Sequence, residues 1–199
     1  MQIGKIVNST SHIDYTCQIY GLGEHHPLPA PEDYAFGNFV SIQVGGTHTA
    51  ISHILGIAYN TQLMNPDFGT LGPRLNSSEQ TPVFTPDFLL EQATLVGILA
   101  LGWKDTDGHT YQGVPPITAS VNDTVTKLEE EEIEHFHQNQ QGGPRLSYMP
   151  ILLNQNHPLV PQLQTRIVDQ LLELFPFHQN QLSLIRNNLA WRSIVQPAS

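Results

Sequence analysis

The sequence predicts a mainly β fold with added helices, namely a small β-barrel followed by a C-terminal helical hairpin. Residues 39–44 place Val40, Ile42 and Val44 on one face, which is the period of two expected of a strand. The two glycines that follow can turn the chain back, so residues 49–57 can pair with the first arm as a hairpin. Charged residues are only 13% of the chain, while 15 glycines and 15 prolines allow many turns. Because a lone hairpin is marginally stable in water, further strands closing into a barrel are expected.

The strands before this hairpin follow from the same alternation. Residues 3–7 predict a first strand and residues 15–20 a second, with a polar turn between them. Residues 21–35 contain three prolines and predict an irregular excursion, because proline cannot donate the hydrogen bond that a strand ladder needs. The chain is therefore expected to enter the central hairpin from a loop.

A long loop separates the hairpin from the next predicted strands. Residues 59–82 predict this loop, whose length is typical of a functional or interaction segment, and residues 86–93 predict a short helix that an aspartate opens. The apolar run at residues 95–101 predicts a strand that is buried on both faces. After a turn, residues 109–114 are expected to return as a short strand.

The pattern becomes helical towards the C-terminus. Residues 129–137 predict a short helix with glutamates in its first turn, and residues 146–153 predict one more strand. Apolar residues then recur every three or four positions until Pro176, which ends this helix, and a second helix begins near Asn180. The sequence thus predicts a helical hairpin behind the barrel.

This change of pattern divides the chain into a barrel domain with long loops, residues 1–145, and a strand plus helical hairpin, residues 146–199. The apolar stripe of the hairpin has two possible roles. It can fold back on its own barrel, or it can pack against another chain and so build an oligomer or dock a partner. The candidate interaction residues are Val160, Leu163, Ile167, Leu171, Leu174, Leu182, Ile185, Leu189 and Trp191.

Charge and cysteine content argue against several function classes. The formal net charge is −10, from 18 acidic and 8 basic residues, and the basic residues form no cluster, so direct nucleic-acid binding is not expected. The single Cys17 has no partner for an internal disulfide and cannot supply a cysteine metal cluster. No apolar run is long enough to span a bilayer, and no secretory signal is visible. We therefore expect a cytoplasmic protein without a membrane segment.

The ten histidines do not show the spacing of a metal site. On a helix, His135 and His137 point about 200° apart, so solvated imidazoles at the favourable C-terminal end are expected. On a strand the two would share a face and could bind a metal. The odd separation of His48 and His53 in the central hairpin places them on opposite faces.

Two other groups of polar residues invite a chemical interpretation. Residues 11–14, Ser-His-Ile-Asp, hold the residue types of a hydrolytic triad, but a capped turn explains them better because sequence neighbours rarely have triad geometry. The glutamates within residues 129–134 predict a solvated helix face, since the spacing of a calcium loop is absent. We predict no catalytic residue, no cofactor site and no metal site.

Three short segments carry a resemblance to a known family. Residues 3–7 read Ile-Gly-Lys-Ile-Val, residues 36–40 read Phe-Gly-Asn-Phe-Val, and residues 54–57 read Ile-Leu-Gly-Ile. They resemble the HAS-barrel, the small N-terminal barrel shared by HerA-type DNA-translocating ATPases and ATP synthase subunits. The segment from Pro115-Pro116 into the glutamate-rich helix is similar to the one that leads from this barrel to the ATPase domain. The matching barrel residues are Gly4, Lys5, Val7, Gly37, Val40 and Gly56.

The resemblance implies a closed or nearly closed barrel that helps to assemble rings and is not itself catalytic. The chain contains no Gly-x-x-x-x-Gly-Lys-Ser/Thr loop and only three lysines, so the γ-phosphate of a nucleotide and its magnesium would have no cradle. Residues 146–199 stand where the ATPase domain would begin.

From these observations we expect a non-enzymatic assembly or adaptor module without a cofactor. It would self-associate as a homo-oligomer or dock on a separate protein such as a HerA-like ring ATPase, through the barrel rim, the helical tail and the loop at residues 59–82. The alternative is a small metal-dependent hydrolase or ligand-binding β-barrel that uses histidines and carboxylates of its loops.

Overall fold

The computed structural model of the chain describes residues 1–45, 50–65 and 93–195. Seven strands and four α-helices lie within these ranges. The strands are β1 (Gln2–Ser9), β2 (Asp14–Ile19), β3 (Phe39–Gln43), β4 (Ile51–Met64), β5 (Ala93–Asp105), β6 (Thr110–Gln112) and β7 (Thr124–Lys127). The helices are α1 (Glu130–His137), α2 (Met149–Leu153), α3 (Val160–Leu174) and α4 (Gln179–Val195), with 3₁₀ turns at Pro31–Asp33 and Pro176–His178.

Six of these strands close into an antiparallel β-barrel. Their order is β2-β1-β7-β3-β4-β5, and the barrel closes because β2 also pairs with β5, from Asp14 with Leu99 to Gln18 with Leu95. Strand β6 pairs only with the far end of β5, outside the closed ring. The predicted fold class, a small β-barrel followed by a C-terminal helical hairpin, is confirmed.

The barrel interior is a packed apolar core. A cluster of fifteen buried residues takes side chains from all six barrel strands, so inward-facing residues fill the barrel. Its members are Ile3, Ile6, Tyr15, Cys17, Ile19, Val40, Ile42, Val44, Ile51, Ile54, Ala58, Val96, Ile98, Ala100 and Val125. Burial raises the pKa of the Cys17 thiol to about 12, which keeps it protonated at neutral pH.

A second apolar cluster joins the barrel to the helices. The outer faces of β3, β4 and β5 contribute Phe39, Leu55, Ile57, Leu99 and Leu101, and all four helices pack against them. Strand β5 is therefore buried on both faces, as the apolar run at residues 95–101 predicts. The Gln170 side chain of α3 also donates a hydrogen bond to the Gly37 carbonyl oxygen at 2.9 Å, which ties this helix to the loop before β3.

Two predictions along the chain are wrong. Residues 146–153 do not form a strand, because helix α2 begins at Met149 and Pro150 lies in its first turn, where the missing N–H costs nothing. The predicted loop at residues 59–82 starts too early, since β4 continues to Met64 and pairs with the first residues of β5. Residues 66–82 of that loop and His48 lie outside the described residues. So do residues 86–92 of the helix predicted at residues 86–93, whose last residue, Ala93, begins strand β5.

No helix in the described part of the chain is long and apolar enough to cross a membrane.

Gly102 of β5 lies at a bulge where no side chain fits. The register with β4 shifts between Leu55 and Gly56, and a Cβ atom on Gly102 would meet the Tyr111 carbonyl oxygen and, at 2.8 Å, the Phe136 ring. We expect Gly102→Ala to lower the free energy of unfolding by about 1–3 kcal/mol, because neither neighbour can move without breaking the β5–β6 pairing or the α1 contact. Urea unfolding would measure this.

The matched control for that substitution is Gly45→Ala in the β3–β4 hairpin. A Cβ atom there would meet nothing within 4 Å, and the backbone is not left-handed. Its free energy of unfolding should change by no more than about 0.5 kcal/mol. Equal losses in the two variants would show that Gly102 is not sterically restricted.

Candidate functional site

The residues predicted as an interaction surface are mostly used by the chain's own core. Val160, Leu163, Ile167, Leu171 and Leu182 are buried in the cluster between barrel and helices. Leu174, Ile185 and Leu189 are half-buried against the same cluster. These contacts support one of the two predicted roles of the tail, in which it folds back on its own barrel. Among the nine candidates only Trp191 is open to solvent, at 67% exposure.

A different face of the tail is exposed. Leu184 and Trp191 are seven residues apart on α4, so they share one face, and that face lies opposite the inward-packed Leu182 and Leu189. Leu184 is 66% exposed, and Phe177, another seven residues earlier in the 3₁₀ turn before α4, is 96% exposed. We call Phe177, Leu184 and Trp191 the α4 stripe. Sequence reasoning grouped Trp191 with the inward residues and missed the other two.

The α4 stripe is carried by a helix without acidic residues in a strongly acidic protein. Helix α4 contains no aspartate or glutamate, whereas the whole chain has a net charge of −10. Its Arg186 forms an ion pair with Asp169 of α3, with Nε 2.5 Å from Oδ1, on the side where the two helices meet. Both side chains are partly exposed, so the ion pair contributes little to the free energy of unfolding, and its main effect is to connect α4 with α3.

A cleft between α1 and the outer face of the sheet brings several ionisable groups together. Its volume is about 280 Å³. His53 of β4 pairs across the sheet with Lys104 of β5, and Lys104 pairs with Thr110 of β6, so these polar side chains form one row. We call this the α1 cleft, and its lining residues are Ser41, His53, Leu55, Lys104, Thr110, Leu128, Glu131, Glu132 and His135.

The His53 imidazole in the α1 cleft is held in one tautomer. Its Nδ1 lies 3.0 Å from Ser52 Oγ, and that hydroxyl donates to the Asp105 carbonyl oxygen at 2.8 Å. Because the single hydroxyl proton is used there, Ser52 Oγ accepts from Nδ1–H, which leaves a lone pair on Nε2. Burial and then the Lys104 ammonium lower the pKa of His53, against a smaller opposing effect of Glu132. The ring is therefore neutral at pH 7.

The two histidines of α1 have opposite environments. His135 is exposed at the α1 cleft, as predicted for both, but the prediction is wrong for His137, which is fully buried. His137 Nδ1 donates to the Ile133 carbonyl oxygen at 2.7 Å, so Nε2 accepts from the Tyr148 hydroxyl, also at 2.7 Å. Burial lowers the pKa of His137 to about 4. Its role is to connect α1 with the segment before α2.

The other polar groups singled out in the sequence have structural partners. His12 Nε2 lies 2.7 Å from the Pro115 carbonyl oxygen, whereas Asp14 accepts from Thr10 Oγ1 at 2.6 Å and from Tyr59 at 2.9 Å. Ser11 Oγ accepts from the Ile13 amide at 3.4 Å, so the serine, histidine and aspartate of residues 11–14 are joined to different groups, as the prediction of a capped turn requires. The acidic first turn of α1 is capped by Glu132 Oε2, which accepts from the Glu129 amide.

One group that sequence reasoning missed lies in the β5–β6 turn. Potential metal-ligand atoms of Asp105, Asp107 and His109 lie within 4.8 Å of one another. The Asp105 carboxylate also accepts from the His109 amide at 2.8 Å and from the Tyr111 hydroxyl at 3.1 Å. These bonds close the turn and explain why the side chains meet. The alternation of aspartates before Gly108 is the sequence signal that could have pointed to them.

The fold and these surfaces define a class of protein, a closed six-stranded barrel covered on one side by helices, with an apolar stripe and a polar cleft on the outside. Comparison with known families matches residues 1–198 to a domain of unknown function, DUF8166. The chain belongs to the DUF8166 family. No curated protein matches it at a significant level.

Proposed function

We propose that the protein is a non-catalytic assembly module that associates with a protein partner through the α4 stripe. The observation that carries this proposal is the exposure of three large apolar side chains, two on the outer side of α4 and one in the 3₁₀ turn before it, while the inner side of the helix is already packed. Large apolar groups that remain exposed together in this way are typical of interaction sites. The partner that the charge distribution favours is a second copy of the chain.

The charge argument concerns the approach of two acidic molecules. Two copies with a net charge of −10 repel each other, and the repulsion is smallest where neither surface carries carboxylates. Helix α4 is such a surface in both copies. In a two-fold arrangement the same residues face each other, so each copy contributes its own Leu184 and Trp191 to the contact.

The energy available is sufficient for association but not for permanent assembly. Burying a leucine or an aromatic side chain contributes about 1.5–3 kcal/mol, so three residues from each of two copies contribute roughly 9–18 kcal/mol. Association itself costs about 4–15 kcal/mol. The α4 stripe is therefore expected to give a reversible dimer, or to act together with further contacts.

The resemblance to the HAS-barrel supports the same function class. It implies a closed barrel that helps to assemble rings, and the six-stranded barrel of this chain closes and is filled by its own side chains. A HAS-barrel protein without a phosphate loop would contribute assembly contacts and leave nucleotide hydrolysis to another chain. A separate ring-forming ATPase is thus the second partner to test.

The double variant Leu184→Glu/Trp191→Glu tests the α4 stripe. We expect the wild-type protein to be larger than a monomer in light scattering, in a concentration-dependent manner, and the double variant to be monomeric because each new carboxylate would have to be buried in the contact. The far-ultraviolet circular dichroism should not change, since both positions are exposed.

The matched control is Leu22→Glu/Leu63→Glu, which adds the same charge at two leucines that are 83% and 82% exposed. This control should associate like the wild type. A wild-type protein that stays monomeric and captures no ATPase from its own cells would contradict the proposal, and so would equal dissociation in the control.

A further inference from the structure

The floor of the α1 cleft is fixed by the pairing of three strands. Ser41 of β3 lies opposite Leu55 of β4, and these two side chains line the cleft. His53 of β4 lies opposite Lys104 of β5, and these two line it as well. Directly opposed side chains on a sheet are about 5 Å apart, and neighbours on one face of a strand are about 7 Å apart. The floor is therefore a compact patch on which one small molecule can touch all four side chains.

Helix α1 crosses this floor from β3 to β6, which places the charges of the cleft in a defined order. Just before the helix, the Leu128 amide donates to the first carbonyl oxygen of β3 at 2.9 Å. Near the end of the helix, the Gln112 side chain of β6 donates to the Phe136 carbonyl oxygen at 3.1 Å. Glu131, in the first turn, is thus nearer to β3, whereas Lys104 of β5 lies beside β6. The cleft has a negative end and a positive end.

The charges at the two ends have no ion-pair partner of their own. Within the described part of the chain, the ion pairs involve neither Lys104 nor Glu131, and the Glu132 carboxylate is used by the helix cap. Beside the larger effect of burial, Lys104 lowers and Glu132 raises the pKa of the His53 imidazole, so both charges lie near that ring. Opposite charges thus face one volume without pairing, which favours a ligand that carries both signs.

Two uncharged polar groups of the cleft are also available to a ligand. Ser41 is only 7% exposed and no described residue hydrogen-bonds its hydroxyl, although buried polar groups normally have a partner. The hydrogen bond of His53 Nδ1 to Ser52 Oγ orients the imidazole and leaves the Nε2 lone pair available as an acceptor. A polar ligand in the cleft gives both groups a partner.

The cleft is small and partly apolar. Its volume of about 280 Å³ lies just below the usual range of small-molecule sites, about 300–1,000 Å³, and is too small for a nucleotide. Leu55 and Leu128, which are 4% and 5% exposed, form the apolar part of its lining. The ligand that fits this cleft is therefore short, carries charges of both signs and has an aliphatic part.

We propose that the α1 cleft binds an apolar α-amino acid in its zwitterionic form. The Lys104 ammonium holds the carboxylate of the amino acid. Glu131, the Ser41 hydroxyl and His53 Nε2 accept hydrogen bonds from its ammonium group, and its aliphatic side chain lies against the two leucines. This site does not depend on the α4 stripe, so the failure of one proposal leaves the other intact.

Calorimetric titration of the full chain with L-leucine at pH 7 tests the site. We expect one leucine per chain with a dissociation constant no weaker than about 1 mM. Two analogues serve as ligand controls, namely 3-methylbutylamine, which lacks the carboxylate, and 4-methylpentanoate, which lacks the ammonium group. Each should bind at least about tenfold more weakly, because it leaves charged groups of the cleft without a partner.

Substitutions locate the binding in the cleft. Lys104→Met and Glu131→Gln should each weaken leucine binding at least about tenfold, and Ser41→Ala should weaken it about threefold or more. The matched controls are Lys5→Met and Glu130→Gln, which remove the same charges at exposed positions outside the lining of the cleft. Both controls should bind leucine like the wild type, and circular dichroism should be the same for all five variants.

Three outcomes would overturn this proposal. The first is the absence of binding for L-leucine, L-valine and L-methionine alike. The second is an analogue that binds as tightly as leucine, which would make the cleft a site for amines or for carboxylates and not for the zwitterion. The third is leucine binding that the cleft variants alter no more than the two control variants do.

Discussion

Leu171→Ala is expected to lower the free energy of unfolding by about 2–5 kcal/mol. Leu171 lies in the middle of α3 and is fully buried in the cluster that joins the helices to the outer face of the barrel. Truncation removes apolar contacts and leaves a cavity, and the rigid sheet beneath the helix limits how far the structure can relax into it. Urea unfolding of the two proteins at one concentration would measure the difference.

The control for this substitution is Leu22→Ala, which removes the same atoms from a side chain that is 83% exposed. Its unfolding free energy should stay within about 0.5 kcal/mol of the wild-type value. The comparison separates the two roles that the sequence allows for the helical tail. A fully stable Leu171→Ala protein that had lost a partner would favour packing against another chain and contradict the observed burial.

The strands could be predicted because their signals are local. Apolar residues alternate along residues 39–44, whereas residues 95–101 are continuously apolar because that strand is buried on both faces. Each pattern is visible within a short stretch of sequence. The exception is the segment at residues 146–153, which is apolar without a clear period. Such a run fits a strand or a buried helical turn equally well, and Pro150 was the residue that should have favoured a helix start.

The surfaces outside the core could not be predicted in the same way. The hydrophobic pattern shows that α4 has an apolar face, but Leu184 and Trp191 form a second, weaker stripe. Only the packing of α4 against α3 shows that this second stripe is the exposed one. The α1 cleft depends on the register that places His53 opposite Lys104, two residues separated by about fifty positions. Register between distant strands is set by the closed barrel and not by any local pattern.

His137 shows the same limit within a single turn of helix. Helical geometry places His135 and His137 on different sides, and this part of the expectation is confirmed. Which of the two is buried depends on Tyr148, eleven residues away, and on the Phe39 and Phe136 rings, whose centres lie 5.0 and 4.9 Å from the imidazole. A histidine that supplies both bonds needed in an apolar core is not distinguishable from a solvated one by sequence.

His137→Ala is expected to lower the free energy of unfolding by about 3 kcal/mol at pH 7. The substitution removes the acceptor of the buried Tyr148 hydroxyl, and a buried group left without its partner costs about 1–3 kcal/mol in addition to the lost packing. His135→Ala, two residues earlier on the exposed side of the same helix, is the matched control and should change stability by about 0.5 kcal/mol or less.

The stability of the wild-type protein should also depend on pH through this residue. The pKa of His137 is about 4 in the folded chain against an ordinary value of 6.5, so between these values the unfolded chain binds a proton that the folded chain does not. The contribution is present in full above pH 6.5 and is lost as the pH falls towards 4, by about 3 kcal/mol in total. The difference in unfolding free energy between wild type and His137→Ala should therefore shrink over that interval. If the difference in unfolding free energy stayed constant from pH 7 to pH 4, His137 would accept its proton without leaving the core. The contacts of both ring nitrogens oppose this, because a protonated Nε2 would have to donate towards the Tyr148 hydroxyl, which is already directed at it.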